Sequence, residues 1–144
     1  MKIHMFKPIK GQYQDITQAP DQVFSEKLFG PGFIITPKDH HIYAPIDGTI
    51  KMIYPTYHAF AISNDEVDIL IHIGLNETLR DPSYFDLKVS VGDKVSIKDL
   101  ICTLNVDFEK LNLVDYMIPV VFVQKKSMSK ISETASFIDL LINP

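Results

Sequence analysis

The sequence predicts an all-β fold, in which a single domain spanning residues 1–144 forms an antiparallel β-sandwich or barrel with one or two short helical turns. Two observations predict this class. Short apolar or alternating runs follow one another at fairly regular spacing. The segments between them carry the residues that turns require, such as Asp47-Gly48, Asn64-Asp65 and Gly92-Asp93. A chain of 144 residues is also long enough to bury a core as one domain.

Nine strands are predicted in chain order, with two helical turns between them. Asp107 is placed to cap a short helix over residues 107–111, and Pro20-Asp21 precedes a helical turn within residues 22–28. His4 is assigned to a frayed N-terminus. The predicted strands are 32–36, 41–44, 49–54, 58–63, 67–73, 94–97, 100–104, 119–123 and, from an ambiguous pattern, 136–142.

Composition excludes several classes of function. The formal net charge is −4 and the only arginine is Arg80, so the basic surface that a nucleic-acid-binding protein needs is missing. No apolar run approaches the ~20 residues that a membrane-spanning helix requires, and the N-terminus does not resemble a signal peptide. Cys102 is the only cysteine, so no internal disulfide can form. We therefore expect a cytoplasmic protein without direct membrane insertion or nucleic-acid binding.

Residues 58–72 have the pattern of a β-hairpin with a histidine at each end. If the loop holds three residues, Ser63 faces Val67 and His58 lies directly opposite His72, with Cβ atoms about 5 Å apart. If the loop holds two residues, the histidines lie on opposite faces. Periodicity does not decide between the registers, because the second one also produces an apolar face, consisting of Phe60, Ile62, Val67, Ile69 and Ile71.

Two adjacent imidazoles are suited to a group-transfer reaction. A neutral imidazole nitrogen is a nucleophile, and a second histidine can stabilise the oxygens of an anionic group in transfer. Two histidines also suit zinc, but a catalytic zinc site takes three protein ligands and Asp68 is poorly placed as the third. The residues alone leave another interpretation open, in which the histidines are unrelated side chains of a half-buried sheet.

Six segments, taken together in their order and spacing, carry a family resemblance. They are Pro20-Asp-Gln-Val-Phe-Ser-Glu-Lys-Leu-Phe-Gly-Pro-Gly-Phe-Ile-Ile-Thr-Pro37, Tyr43-Ala-Pro-Ile-Asp-Gly-Thr-Ile50, Thr56-Tyr-His-Ala-Phe60, Ile69-Leu-Ile-His-Ile-Gly74, Val91-Gly-Asp-Lys-Val95 and Pro119-Val-Val121. This series resembles the glucose-type enzyme IIA family of the bacterial phosphoenolpyruvate-dependent sugar phosphotransferase system. The likeness extends from about Phe6 to Val123, without the C-terminal tail.

The resemblance implies an antiparallel fold of the duplicated hybrid-motif type and a phosphotransferase component that needs no cofactor or metal. His72 is expected to accept a phosphoryl group on Nε2 from the histidine-containing phosphocarrier protein and to pass it to a cysteine of a sugar-specific IIB domain. His58 is expected to hydrogen-bond the phosphoryl oxygens, with its ring held by Thr56. The Gly74 carbonyl is expected to accept the Nδ1 proton of His72. The three-residue hairpin loop is the register expected on this basis.

Partner recognition is expected on the surface around these histidines. Asp21 matches an acidic family position at the rim. The family usually has aspartate where this chain has Asn76, and the loop 79–85 also departs from the family pattern, so the choice of partner is in question. The predicted contact residues are Asp21, Phe24, Tyr54, Phe60, Leu70 and Asn76, with Ile73 and Leu75 as further candidates.

Two other functions stay open at this point. A diverged member of the same family could act as a regulatory binding module that engages a transporter or a kinase without phosphotransfer. A zinc hydrolase of related β architecture would need a third ligand and a His-x-His element that the sequence lacks. The sequence does not specify the sugar, the oligomeric state, or whether the chain is part of a larger transporter.

Overall fold

The computed structural model describes residues 1–144 and consists mostly of antiparallel strands. Two single-turn α-helices, α1 (Gln22–Ser25) and α2 (Leu113–Tyr116), and three 3₁₀ turns (Ile16–Gln18, Pro82–Tyr84 and Phe108–Lys110) connect them. The predicted all-β class is therefore confirmed. The strands are β1 (Lys2–Phe6), β2 (Gly11–Asp15), β3 (Gly32–Pro37), β4 (His41–Tyr43), β5 (Gly48–Ile53), β6 (Ala59–Ser63), β7 (Asp68–His72), β8 (Phe85–Leu87), β9 (Lys94–Val95), β10 (Leu100–Leu104), β11 (Ile118–Phe122), β12 (Ser127–Glu133) and β13 (Phe137–Asn143).

The strands form three sheets. The largest has seven strands in the order β2-β3-β11-β7-β6-β5-β9. The two smaller sheets have the orders β4-β10-β8 and β1-β13-β12. Strand β7 lies at the centre of the large sheet, between β11 and β6, and His72 is its last residue. The backbone that carries His72 is therefore hydrogen-bonded on both sides.

The seven-stranded sheet is covered by apolar side chains on both faces. Ile69 and Ile71 of β7 belong to a core of 27 buried residues, whereas Leu70 belongs to a separate cluster of eight. Fully burying one such side chain contributes about 1.5–3 kcal/mol. Phe24 of α1 is also part of the smaller cluster, so this cluster supports the sheet directly under the end of β7. Packing on both faces fixes the position of this strand.

Four strands, β1, β2, β8 and β12, are not predicted by the local pattern. His4 lies in β1, which pairs with β13 from Lys2↔Leu141 to Phe6↔Phe137, so its assignment to a frayed terminus is wrong. A strand of this kind depends on a partner from the other end of the chain, which the local sequence does not reveal. The helical turn capped by Asp107 is confirmed as a 3₁₀ turn, with the Asp107 carboxylate accepting from the Glu109 N–H.

The β6–β7 hairpin has the register of the two-residue loop, and the three-residue loop expected from the resemblance is wrong. Ser63 pairs with Asp68 across the hairpin. The Asn64 side-chain oxygen accepts hydrogen bonds from the backbone N–H groups of Glu66 (2.8 Å) and Val67 (3.0 Å), which closes the tight loop. This register places the whole apolar face in the larger core, namely Phe60, Ile62, Val67, Ile69 and Ile71.

Candidate functional site

His58 and His72 lie side by side, with ring centroids 4.9 Å apart and ring planes at 85°. The hairpin register alone would place them on opposite faces, because Ala59 rather than His58 pairs with His72. The turn before β6 accounts for the difference. Tyr57 has φ +63°, and His58 precedes the first residue of the strand, so its side chain does not follow the strand alternation. A hydrogen bond from the Tyr57 N–H to the Tyr54 carbonyl (2.8 Å) holds this turn.

The ring of His72 is oriented by the residue that follows the strand. Its Nδ1 lies 2.9 Å from the Gly74 carbonyl oxygen. Because a carbonyl oxygen only accepts, Nδ1 carries the proton and Nε2 of the neutral ring has a free lone pair. Gly74 has φ +85°, and a Cβ there would lie 2.5 Å from the backbone oxygen of Asp115. The conformation that brings the carbonyl to His72 therefore requires glycine.

The ring of His58 is buried, with 5% of its surface exposed, and Thr56 holds it. The Thr56 Oγ1 lies 2.5 Å from Nδ1 of His58. When the hydroxyl donates to Nδ1, the ring proton is on Nε2, and that nitrogen becomes a hydrogen-bond donor. The ring of Tyr54 packs edge-on against His58, with centroids 5.3 Å apart. The hydrogen bonds expected for Thr56 and Gly74 are thus both present.

Both histidines have a lowered pKa. Burial, followed by the nearby His72 and Arg80, lowers the pKa of His58 to about 4. The pKa of His72 is also lowered, mainly by burial; the hydrogen bond to Gly74 opposes this shift, Arg80 adds to it and Asp21 opposes it. Both rings are consequently neutral near pH 7. A neutral His72 is a competent nucleophile under these conditions.

An open cleft of about 540 Å³ leads from the surface to the two histidines. Its rim carries charges of opposite sign, Asp21 and Arg80. A cleft that is open, lined by apolar and polar residues in equal number and charged at its rim can admit a reactive group presented by another protein. The apolar part of its lining consists of Val23, Phe24, Phe29, Tyr54 and Leu75.

Three of the six predicted contact residues line this cleft, namely Asp21, Phe24 and Tyr54, and so does Leu75, one of the two further candidates. The Asp21 carboxylate caps α1 by accepting from the Phe24 N–H at 3.3 Å. The Phe24 ring is buried and lies 5.3 Å from the His72 ring, centroid to centroid. Tyr54 is 37% exposed and is therefore available to a partner.

The expectation that Phe60 contacts a partner is wrong. Its side chain is fully buried in the larger core, because the hairpin register turns it to the face opposite the cleft. A side chain without exposed surface cannot contact a partner. Ile73 is buried in the same core. Leu70 is also buried, in the smaller cluster, but it borders a groove beside the cleft. Phe29 and Tyr54 line both the groove and the cleft.

The Asn76 side chain is hydrogen-bonded within the protein and is not free at the rim of the cleft. Its amide donates a hydrogen bond to the Asp115 carboxylate at 2.7 Å. The same carboxylate accepts from the Thr78 hydroxyl (3.1 Å) and from the Asn112 N–H (2.9 Å). These hydrogen bonds, that of Asn76 first, lower the pKa of Asp115. The loop after His72 is thereby tied to α2.

Sequence reasoning assigns no role to four residues of the site: Val23, Phe29, Arg80 and Asp115. Arg80 could have been noticed from the sequence, because it is the only arginine in a chain with 18 acidic residues. Asp115 could have been noticed because Asn112 and Asp115 have the spacing of a capping box, and in the structure the Asp115 carboxylate accepts from the Asn112 N–H. Val23 and Phe29 are exposed apolar side chains, and only the folded structure places them at the cleft.

The comparisons with known proteins agree with this geometry. A family model described as "phosphoenolpyruvate-dependent sugar phosphotransferase system, EIIA 1" matches residues 3–128. The chain belongs to this family. It is therefore a phosphotransferase component that passes phosphoryl groups in sugar uptake.

Three similar proteins illustrate the relationship. The glucose-specific EIIA component of Buchnera aphidicola subsp. Acyrthosiphon pisum is 36% identical over 138 residues, which are 95% of this chain and 86% of that protein. The glucose-specific EIICBA component of Staphylococcus carnosus is 36% identical over 118 residues, which cover 81% of this chain but only 18% of that longer protein. The solved structure of glucose permease IIA from Mycoplasma capricolum superposes with a TM-score of 0.75 at 30% identity, covering 85% of this chain and 80% of that one.

Two further features of the chain concern membranes and metal ions. No helix of the chain has the length and apolar character needed to cross a membrane. No group of three or more histidine, cysteine, aspartate or glutamate side chains is arranged to hold a metal ion. His58 and His72 therefore have no third ligand from their own chain of the kind that a zinc hydrolase uses.

Proposed function

We propose that His72 accepts a phosphoryl group on Nε2 from the histidine-containing phosphocarrier protein and passes it to a cysteine of a sugar-specific IIB domain, in the cytoplasm. The observation that carries this proposal is the 2.9 Å hydrogen bond from Nδ1 of His72 to the Gly74 carbonyl. It keeps the ring proton on the nitrogen that does not react. The open cleft allows a second protein to reach Nε2.

The transfer consists of two displacements at phosphorus. In the first, the lone pair of Nε2 of His72 attacks the phosphorus atom as the phosphorus–nitrogen bond of the donor breaks. In the second, a cysteine thiolate attacks the same atom, and the electron pair returns to Nε2. The proton on Nδ1 stays in place throughout, hydrogen-bonded to Gly74. Such reactions depend mainly on positioning and on stabilising negative charge.

His58 and Thr56 supply that stabilisation in this proposal. The His58 ring lies next to His72, and the Thr56 hydroxyl fixes its orientation. A ring that carries its proton on Nε2 can donate it to an oxygen of the phosphoryl group, and this donation stabilises the charge in transfer. Its lowered pKa means that His58 does so as a neutral donor near pH 7.

The partner surface is proposed to be the rim of the cleft. Val23, Phe29 and Tyr54 are exposed there, and Asp21 supplies a negative charge. Such a surface is suited to short-lived complexes, in which rim charges set the rate of encounter. A IIB partner is supported by the name of the Staphylococcus carnosus relative, EIICBA, which joins the A component to B and C components. Leu70 and Asn76 contribute little exposed surface to this rim, and Phe60 contributes none.

The proposal is tested by mixing the protein with phosphoenolpyruvate, enzyme I and the histidine-containing phosphocarrier protein and recording its intact mass. We expect an acid-labile gain of one phosphoryl group that is absent in His72→Gln, still forms in His58→Gln, and is unchanged in His41→Gln, a histidine outside the cleft. Adding candidate IIB domains to the phosphorylated protein should then remove the group, and the domain that accepts it identifies the sugar.

Two results would contradict the proposal. A phosphoryl group that persists in His72→Gln would place the reaction on another residue. No gain of mass with any phosphocarrier, in a protein that is shown to be folded, would leave a binding module of the same family in place of an active carrier.

A further inference from the structure

Arg80 lies in the cleft with both histidines, but neither the hairpin nor the proposed transfer gives it a role. The chain on both sides of it is fixed. Leu79 is buried in the larger core, and the Asp81 carboxylate accepts from the Ser83 N–H at 2.9 Å, which caps the following 3₁₀ turn. The Arg80 side chain is 41% exposed and extends to the cleft from this fixed backbone.

The guanidinium of Arg80 is not committed to another group of the protein. Its only ion-pair partner is Glu77, at 3.9 Å, and the Glu77 side chain is 89% exposed. An exposed ion pair at this distance contributes little to stability and breaks easily. Most of the five N–H donors of the guanidinium are therefore free to bind a ligand.

The charges of the cleft are balanced only while His72 is unmodified. With both histidines neutral, Arg80 and Asp21 are the charged side chains in the lining. A phosphoryl group on Nε2 adds a charge of about −1.5 to −2. Asn76, in the loop that follows His72, adds no negative charge of its own. The positive charge of Arg80 reaches both imidazoles, since it lowers the pKa of each.

We propose that Arg80 is a phosphoryl-binding residue, whose guanidinium donates hydrogen bonds to the oxygens of the group on Nε2 of His72. This inference rests on the proposed function. Guanidinium groups bind phosphoryl oxygens with paired hydrogen bonds and stabilise the charge that is spread over them in transfer. Arg80 thereby supplies from within the chain a positive charge next to the transferred group, and it shifts the equilibrium with the donor towards phosphorylated His72.

The test compares Arg80→Gln and Arg80→Lys with the unmodified protein. Lys94→Gln serves as the control, because it removes one positive charge from an exposed position outside the cleft. The equilibrium with the phosphorylated phosphocarrier protein is measured by intact mass. Loss of a hydrogen bond to a charged group should shift it about ten- to a hundredfold towards unmodified His72 in Arg80→Gln. We expect a smaller shift in Arg80→Lys and none in Lys94→Gln. The lifetime of the phosphohistidine should change in the same order.

A second measurement keeps this inference separate from the proposed function. Inorganic phosphate is titrated into the unphosphorylated proteins while the ring signals of His58 and His72 are followed by NMR, which also reports whether each variant is folded. We expect saturable shifts in the unmodified protein and in Lys94→Gln, and at least fivefold weaker binding in Arg80→Gln. If the protein is not phosphorylated at all, the proposed function fails and this titration decides the role of Arg80. Equal equilibria in the phosphorylation assay, or equal phosphate affinities where no phosphorylation occurs, would overturn the inference.

Discussion

The two ends of the β6–β7 hairpin differ in how closely they follow regular strand geometry. At the loop end, Asn64 closes a tight turn and every following pair keeps the strand register. At the other end, Tyr57 takes a positive φ and His58 leaves the alternation to meet His72. The regular end serves to bury apolar side chains, whereas the irregular end serves to place a reactive pair. The difference shows that the contact between the histidines comes from a local break in the strand rather than from the pairing of the strands.

The largest effect on stability is expected in the regular part of the hairpin. Phe60→Ala removes a fully buried ring from the larger core, so the free energy of unfolding should fall by about 3–5 kcal/mol. Urea denaturation measures this loss. Leu28→Ala is the control, because that side chain is 68% exposed and its removal should change the free energy of unfolding by no more than about 0.5 kcal/mol. A loss below about 1 kcal/mol in Phe60→Ala would show that Phe60 is not packed in the core.

The next effect is expected at Gly74, on the irregular side. Gly74→Ala combines a positive φ with a Cβ placed 2.5 Å from the Asp115 backbone oxygen, so it should cost at least about 1–3 kcal/mol and slow phosphorylation of His72. Gly92→Ala is a matched control, since Gly92 also has a positive φ, 94°, but a Cβ there meets nothing within 4 Å. Thermal denaturation and the rate of phosphorylation should both separate the two variants. Equal losses in both would mean that backbone strain alone, without the close contact, accounts for the requirement.

A smaller effect is expected at Thr56. Thr56→Val keeps the shape of the side chain and removes the hydrogen bond to Nδ1 of His58. Loss of one such bond costs about 1 kcal/mol, so phosphotransfer should slow roughly fivefold to tenfold while the protein stays folded. Thr49→Val, on a neighbouring strand, should leave the rate unchanged. An unchanged rate in Thr56→Val would show that the Thr56 hydroxyl does not assist His58 in phosphotransfer.

The most gradual effect is expected from acid. The pKa of His58 is about 4 in the folded protein and 6.5 in its ordinary state, so between these values the unfolded chain binds a proton that the folded protein does not. The contribution of His58 to stability is therefore fully present above pH 6.5 and decreases as the pH falls towards 4. Chemical denaturation at several pH values should show a shallower loss for His58→Gln over this range. Parallel curves would indicate that His58 has an ordinary pKa.

Much of the fold could be predicted because strand patterns and turn residues act locally. The strand Leu100–Leu104 was predicted with its observed bounds, and the cap at Asp107 was predicted correctly. Strand β1 could not be predicted, because its partner, β13, lies at the other end of the chain. The geometry of the site was harder to predict than the strands. Resemblance brought His58 and His72 together, but it gave the wrong register, since the positive φ of Tyr57 has no signal in the residue pattern.

The charge of the site also lay outside the reach of the sequence. A single arginine is visible in the composition, but its position beside two histidines depends on the packing of Leu79 and the turn that follows. Likewise, the sequence predicts Asn76 as a partner-contact residue, whereas in the structure its amide is hydrogen-bonded to the buried Asp115. Both positions depend on tertiary packing, since Leu79 is buried in the larger core and Asp115 lies 39 residues from Asn76.

We propose that His72 reacts through Nε2 while Nδ1 donates to the Gly74 carbonyl. NMR of the protein labelled with ¹⁵N in its histidines tests it most directly, because the ring signals identify which nitrogen carries the proton. We predict that His72 is neutral at pH 7 with the proton on Nδ1, and that phosphorylation produces phosphorus–nitrogen coupling at Nε2 of this ring. A proton on Nε2 of unmodified His72, or coupling at Nδ1 or at His58, would contradict the account.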